Sequence, residues 1–116
     1  MTEEFDNAKI AIALRAARAG IGWNQQEFAD LMGVAKSTIA RIETMEMAAK
    51  GDFLVRAIGL FRSKGLHLEI FSPDKIEMTI EGPAIQLALE MLKDETRRRT
   101  DRRMKQGIAS LLPQEN

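Results

Sequence analysis

Two short helical patterns lie almost back to back between residues 25 and 43, with only Gly33 and its neighbours between them. Asn24 is a good cap for a helix over Gln25 to Met32. Gly33 ends that helix at once, because a left-handed backbone costs glycine little. A third helix then runs from about Ala35 to Thr44, with Ile39 and Ile42 on one side and Lys36, Ser37, Ala40 and Arg41 left for other faces. Ala29 is a small residue where the two helices would cross closely, and Val34, Ile39 and Ile42 are the apolar anchors that would hold the later helix on the earlier one. So tight a joint admits few arrangements other than two helices packed across each other.

The flanking segments extend this pattern. Ile10, Leu14, Ala17 and Ile21 recur at helical spacing and predict a first helix over roughly residues 3–19, started by Thr2 or Asp6 and stopped by Gly20 and Gly22. After a loop over 45–51, Asp52 is expected to cap a fourth helix whose stripe is Leu54, Ala57, Ile58 and Phe61. The period then changes from helical to two. Leu66, Leu68 and Ile70 alternate with His67, Glu69 and Phe71, and Ile76, Met78 and Ile80 alternate with Glu77, Thr79 and Glu81. A turn sequence at 72–75 separates them, so the pair reads as a β-hairpin. Pro83 suits the first position of a last helix, expected over 84–106 with Ile85, Ala88, Leu89 and Leu92 on one face. The fold class is therefore mainly α. Residues 1–65 form a helical domain, and residues 66–116 carry a hairpin and a long C-terminal helix.

Composition removes several function classes. The chain has no cysteine and one histidine, His67, so neither a disulfide framework nor a metal centre is expected. No apolar run approaches the ~20 residues of a spanning helix, and no membrane association is expected. The acidic start lacks the basic, then apolar, pattern of a secretory signal, so the expected compartment is the cytoplasm. No nucleophile–base pair or phosphate-cradling glycine loop is visible, so neither an enzyme nor a cofactor is expected. Seventeen basic side chains balance seventeen acidic ones. That balance argues weakly against a nucleic-acid partner, although residues 97–105 concentrate six basic side chains against Asp101 alone.

Two short helices joined by such a turn form a helix-turn-helix, whose second helix can enter the major groove of DNA. From about Ile10 to Gly65 the sequence resembles the phage repressor and Cro group, the XRE-type or lambda-repressor-like family. The resemblance is carried by Arg18, Asn24, Gln25, Ala29, Gly33, Ile39, Ile42 and Glu43 at the family's spacing. Many members place a glycine just after the glutamate of the third helix, where this chain has Thr44 and Met45. The resemblance implies that Lys36, Ser37 and Arg41 point into the major groove, with Ala35 and Ala40 near the same surface. It implies that Asn24 and Gln25 hold a DNA phosphate, and that Arg18 and Glu43 form a structural ion pair between the first and third helices. Independently, Arg matches guanine O6 and N7, Lys can donate to the same acceptors, and an amide at a helix N-terminus suits an anion. Lys50, in the loop after the third helix, is a further candidate phosphate contact.

Trp23 reads as a packing residue that staples the start of the second helix, and His67 as a solvated or packed histidine. The basic run at 97–105 is either a solvated helix surface or a second phosphate-binding element. A hairpin is marginal alone in water. Leu66, Leu68, Ile70, Ile76, Met78 and Ile80 exceed what one helix covers, so they are the expected dimerisation surface. The expected function is a sequence-specific transcriptional regulator, a repressor, acting as a homodimer on palindromic double-stranded DNA. Two other readings stay open. One is an antitoxin-type autoregulator whose C-terminal half binds a toxin or other regulatory protein. The other is a helical interaction module that does not touch DNA.

Overall fold

Thr2 starts the first helix by accepting a hydrogen bond on Oγ1 from Phe5 N, 3.1 Å away. The computed structural model describes residues 2–94; the expected end of the last helix, the basic run at 97–105 and the tail from Leu111 lie outside the described residues. Helix α1 spans Glu3–Ile21, α2 Gln25–Met32, α3 Lys36–Glu43 and α4 Gly51–Ser63. Strands β1 (Leu66–Glu69) and β2 (Glu77–Ile80) follow, then α5 (Gly82–Lys93). Helix α4 begins two residues earlier than the sequence implied. Its cap is Lys50, and Asp52 lies in the first turn, where a carboxylate still complements the helix dipole.

The helices close over an aromatic centre. Trp23 stacks on Phe28 and Phe61 with ring centroids 6.2 and 5.8 Å apart, and Phe53 meets Phe28 edge-on. Trp23 precedes the cap of α2 and Phe28 is its fourth residue, so this contact is the hydrophobic staple expected at that helix start. Leu14, Ile21 and Ile39 are fully buried around the rings. At the α2–α3 joint Gly33 has φ +70°, and its N–H reaches Asp30 O while Val34 N reaches Ala29 O.

Strands β1 and β2 pair antiparallel, with Leu66 opposite Ile80, His67 opposite Thr79, Leu68 opposite Met78 and Glu69 opposite Glu77. Gly65 allows α5 to start against β1. Its φ is +94°, and an added Cβ would sit 3.1 Å from Ala84 N. The apolar core runs on through the change of period at residue 65. Leu66, Leu68, Ile70 and Ala84 belong to the same buried cluster as the helices.

This burial corrects one expectation. Leu66, Leu68 and Ile70 are not a dimerisation surface, because all three are buried within the protomer, Leu66 completely. Strand β1 packs on α4 and on α1. Two helices share the load that the sequence reading assigned to one. Ile76 is half-buried against the same core, and only Met78 and Ile80 of the six remain exposed. Helix α5 uses Ala84 and the half-buried Leu87, Ala88 and Met91 on its inner side, while Ile85, Leu89 and Leu92 face outward.

Candidate nucleic-acid interface

The site is assembled around one buried ion pair. Arg18, in the last turn of α1, donates from Nε to Glu43 Oε2 at 2.7 Å and from Nη2 to Glu43 Oε1 at 2.9 Å. Its third nitrogen, Nη1, donates to Trp23 O at 2.8 Å. Gln25 Nε2 adds a bond to Glu43 Oε1 at 3.1 Å. Glu43 is only 5% exposed and is the one buried charged residue among the described residues. A forked guanidinium against a carboxylate is a strong, directional contact. Here it fixes the end of α3 to α1 and to the entry of α2. Arg18 also lies at a helix C-terminus, where a cation is favoured.

With Glu43, Ile39 and Ile42 turned inward, the rest of α3 faces out. Lys36, Ser37 and Arg41 are exposed, Ala35 is exposed at the cap, and Ala40 is partly covered. The spacing of positions 37 and 41, one helical turn apart, aligns them along one ridge, and Lys36 flanks it. Ala35 gives α3 no side-chain cap, so the amides of its first turn have no such partner.

Helix α2 begins differently. Asn24 Oδ1 accepts from Glu27 N and Asn24 N donates to Glu27 Oε1, both at 2.8 Å, which forms a reciprocal capping box. Asn24 is exposed, and its side-chain amide nitrogen takes no part in the box. Gln25 is half-buried, with its amide nitrogen on Glu43. Asn24 thus caps α2 as its sequence position implied, whereas the bond from Gln25 to Glu43 is a structural task that the sequence pattern did not show. Lys50 is exposed at the cap of α4, at the far end of the loop that follows α3.

That loop turns through Met45 at φ +66°, the only positive φ outside glycine among the described residues. Arg41 O accepts from Glu46 N at 2.8 Å and from Met47 N at 3.1 Å, which closes the turn. The left-handed residue thus comes two positions after Glu43, and a methionine occupies it. Two further contacts had no signal in spacing or composition. Glu46 Oε2 lies 3.7 Å from Arg41 Nε, with both side chains more than half exposed. Arg56 Nη1 donates to Met32 O at 3.1 Å, and its guanidinium lies 5.9 Å from the Phe53 ring centre, which ties α4 to the end of α2. Both pairs arise only once the chain has turned back on itself.

No cluster of residues suited to a metal ion occurs among the described residues. Among the same residues, no helix is long and apolar enough to cross a membrane. Neither a curated protein nor a solved structure matches the chain. Residues 14–63 match a family model described as helix-turn-helix, an interval that starts at Leu14 in α1 and ends at Ser63, the last residue of α4. Over residues 14–63 the chain is thus similar to the helix-turn-helix domains of the XRE-type, lambda-repressor-like DNA-binding family.

Proposed function

We propose that this chain is a transcriptional repressor that occupies a palindromic operator as a homodimer, with residues 1–65 reading DNA and residues 66–116 pairing the copies. The observation that carries the reading is the division of α3. Its two large apolar side chains and Glu43 are buried, while Lys36, Ser37 and Arg41 are all exposed. Arg41 and Lys36 supply donors for guanine O6 and N7, and Ser37 serves either donor or acceptor edges. Ala35 and Ala40 border them as small residues that let the helix approach the bases. Asn24, Gln25 and Lys50 hold phosphates and set the register, a contribution that is independent of sequence and falls with salt.

A single domain of this size covers few base pairs. Two copies related by a twofold axis place their recognition helices about one turn of DNA apart, roughly 34–36 Å. Occupancy of such a site near a promoter excludes polymerase. Selection of bound duplexes from a random pool by the full chain tests the whole reading. A symmetric motif with two half-sites is expected. Enrichment of one unrepeated half-site would remove the dimer, and no enrichment at all would remove sequence-specific DNA binding.

A further inference from the structure

We infer that two copies of this chain join edge to edge through strand β2, antiparallel about a twofold axis at Met78. The inference rests on the homodimer proposed above and names its surface and register.

Strand β2 is exposed along its whole length, and its outer edge pairs with nothing among the described residues. The direction of its backbone groups follows from one bond. Glu81 N donates to Gly65 O at 2.9 Å, so Gly65 and Glu81 occupy a hydrogen-bonded position of the ladder. Antiparallel pairs alternate. His67 with Thr79 and Glu69 with Glu77 are then the other bonded pairs, and Met78 and Ile80 turn their N–H and C=O groups to the open edge. An open edge of this kind is a template for another strand. A second copy of the same edge satisfies it without any other partner, because a twofold interface is self-complementary.

Charge selects among the possible registers. An axis at Thr79 would set Glu77 against Glu81 of the second copy, and like charges directly opposite are destabilising. An axis at Met78 sets Met78 against its own copy, Ile76 against Ile80, Glu77 against Thr79 and Lys75 against Glu81. That register removes the repulsion and sets Lys75, which pairs with Glu77 in its own copy, opposite Glu81, which His67 contacts in the other, so the charges across the seam are opposite rather than alike.

The apolar area agrees with this occupant. Met78 and Ile80 reach Gly20 of α1, while Ala88 and Met91 of α5 reach Gly22, so the strand and the helix flank the same end of α1. On these two elements Met78, Ile80, Ile85, Leu89 and Leu92 are each between 37% and 65% exposed. Together they leave on the order of 400 Å² of apolar side chain open, about half of the ~800 Å² per partner of a standard interface. Ile85, Leu89 and Leu92 stand at i, i+4 and i+7, a continuous stripe beside the one that α5 already uses inside the protomer.

The absence of cysteine from the sequence makes the register directly readable. Three full-length single variants, Met78→Cys, Thr79→Cys and Leu89→Cys, all at exposed positions, are oxidised mildly and resolved on a non-reducing gel, with circular dichroism as the folding control. A bonded antiparallel pair has Cα atoms about 5.5 Å apart, within disulfide reach. Met78→Cys should form covalent dimer at least tenfold faster than Thr79→Cys. Faster cross-linking at position 79 overturns the register, and cross-linking at 89 alone overturns strand pairing in favour of helix pairing. Sedimentation of the unaltered chain as a monomer at tens of micromolar overturns the interface altogether. Mobility shifts on the selected DNA separate the two proposals. A monomer that still shifts DNA loses this inference and the homodimer beneath it but keeps the DNA reading, and a cross-linked dimer that shifts none loses only the DNA reading.

Discussion

Helices α3 and α5 have inverted surfaces. Helix α3 hides its two large apolar side chains and shows Lys36, Ser37 and Arg41. Helix α5 buries only Ala84 completely and shows Ile85, Leu89 and Leu92, the last 65% exposed. A polar face on a helix that is firmly packed behind costs little to keep in water and suits the edges of base pairs. An apolar face left in water is unfavourable by ~25 cal/mol for each Å² and finds its compensation in another apolar surface. On the reading proposed above, the two helices answer to different partners, one a polyanion with polar edges and the other a second copy of the chain. The contrast extends to their supports. The end of α3 is held by a buried ion pair with four hydrogen bonds around it. Helix α5 has no side-chain cap and is held by apolar contact and by the close approach at Gly65.

The largest expected effect breaks the firm side of this contrast. Glu43→Ala leaves the Arg18 guanidinium facing only Trp23 O in a nearly closed site. Removing one partner of a buried pair typically costs about 3–5 kcal/mol, against a total stability of about 5–15 kcal/mol for a domain. Urea denaturation should show that loss, and DNA binding should go with it at room temperature. The exposed pair is the control. Glu46→Ala removes the contact with Arg41 and should change stability by less than about 0.5 kcal/mol, as surface pairs do. Equal losses for the two variants would mean that the buried pair does not organise the site.

Arg41→Ala comes next and acts on function alone. Its side chain is 57% exposed and its ion pair with Glu46 lies on the open surface, so the melting temperature should hold. Discrimination between the selected operator and scrambled DNA should fall by about 1–3 kcal/mol, the value of one good base contact. Gln25→Ala, by contrast, should weaken binding to both duplexes together. It should also cost some stability, because Gln25 bonds to Glu43 as well. Matching losses of discrimination in the two variants would contradict the division between base and phosphate contacts.

Much of this was legible from residue types, and the reasons are local. The bounds of α2, its capping residue, the Gly33 turn and the Trp23 staple depend on neighbours within about five positions, where spacing carries the information. The Arg18–Glu43 pair joins residues 25 apart and was reached only through the family resemblance. Strand β1 shows where pattern ends. Alternation of Leu66, Leu68 and Ile70 marks an apolar face, and it is silent on whether the chain's own helices or a second molecule covers that face. Here α1 and α4 do. The contacts of Glu46 and Arg56 were hidden for the same reason, since each depends on where a loop or a helix end arrives in space.

The loop after α3 offers a smaller effect with the opposite sign. Met45 holds a left-handed backbone that disfavours any residue with a Cβ by about 1–2 kcal/mol. Glycine removes that strain and returns part of the gain as unfolded-chain entropy. Met45→Gly should therefore stabilise the protein by about 0.5–1 kcal/mol, a rise of a few degrees in a thermal melt. A fall in the melting temperature would show that the 43%-exposed methionine side chain packs well enough to outweigh its backbone.

The smallest effect on the protomer is expected at the entry to β2, where Lys75 Nζ and Glu77 Oε1 are 2.8 Å apart on the open surface. The hydrogen bond from Lys75, and then its charge, hold the Glu77 carboxyl below the usual 4.5, and the same bond and charge raise the Lys75 ammonium above 10.5. Stability from the lowered carboxyl is present above 4.5 and is lost as pH falls through the folded value. Stability from the raised ammonium is present below 10.5 and is lost as pH rises past its folded value. Any contribution therefore fills the interval between and is flat at neutral pH, and full solvent exposure screens it. Lys75→Glu should leave the melt of the monomer at high dilution unchanged at pH 7. The pairing register argued above makes the same substitution consequential between copies, since it sets a carboxylate against Glu81 of the second copy. Dimer dissociation should rise several-fold at low salt, and the difference should shrink once the Debye length falls to a few ångströms near 1 M. A dissociation constant that ignores both the substitution and the salt would leave α5 alone to hold the copies together, and the contrast between the two helices would then extend to the whole interface.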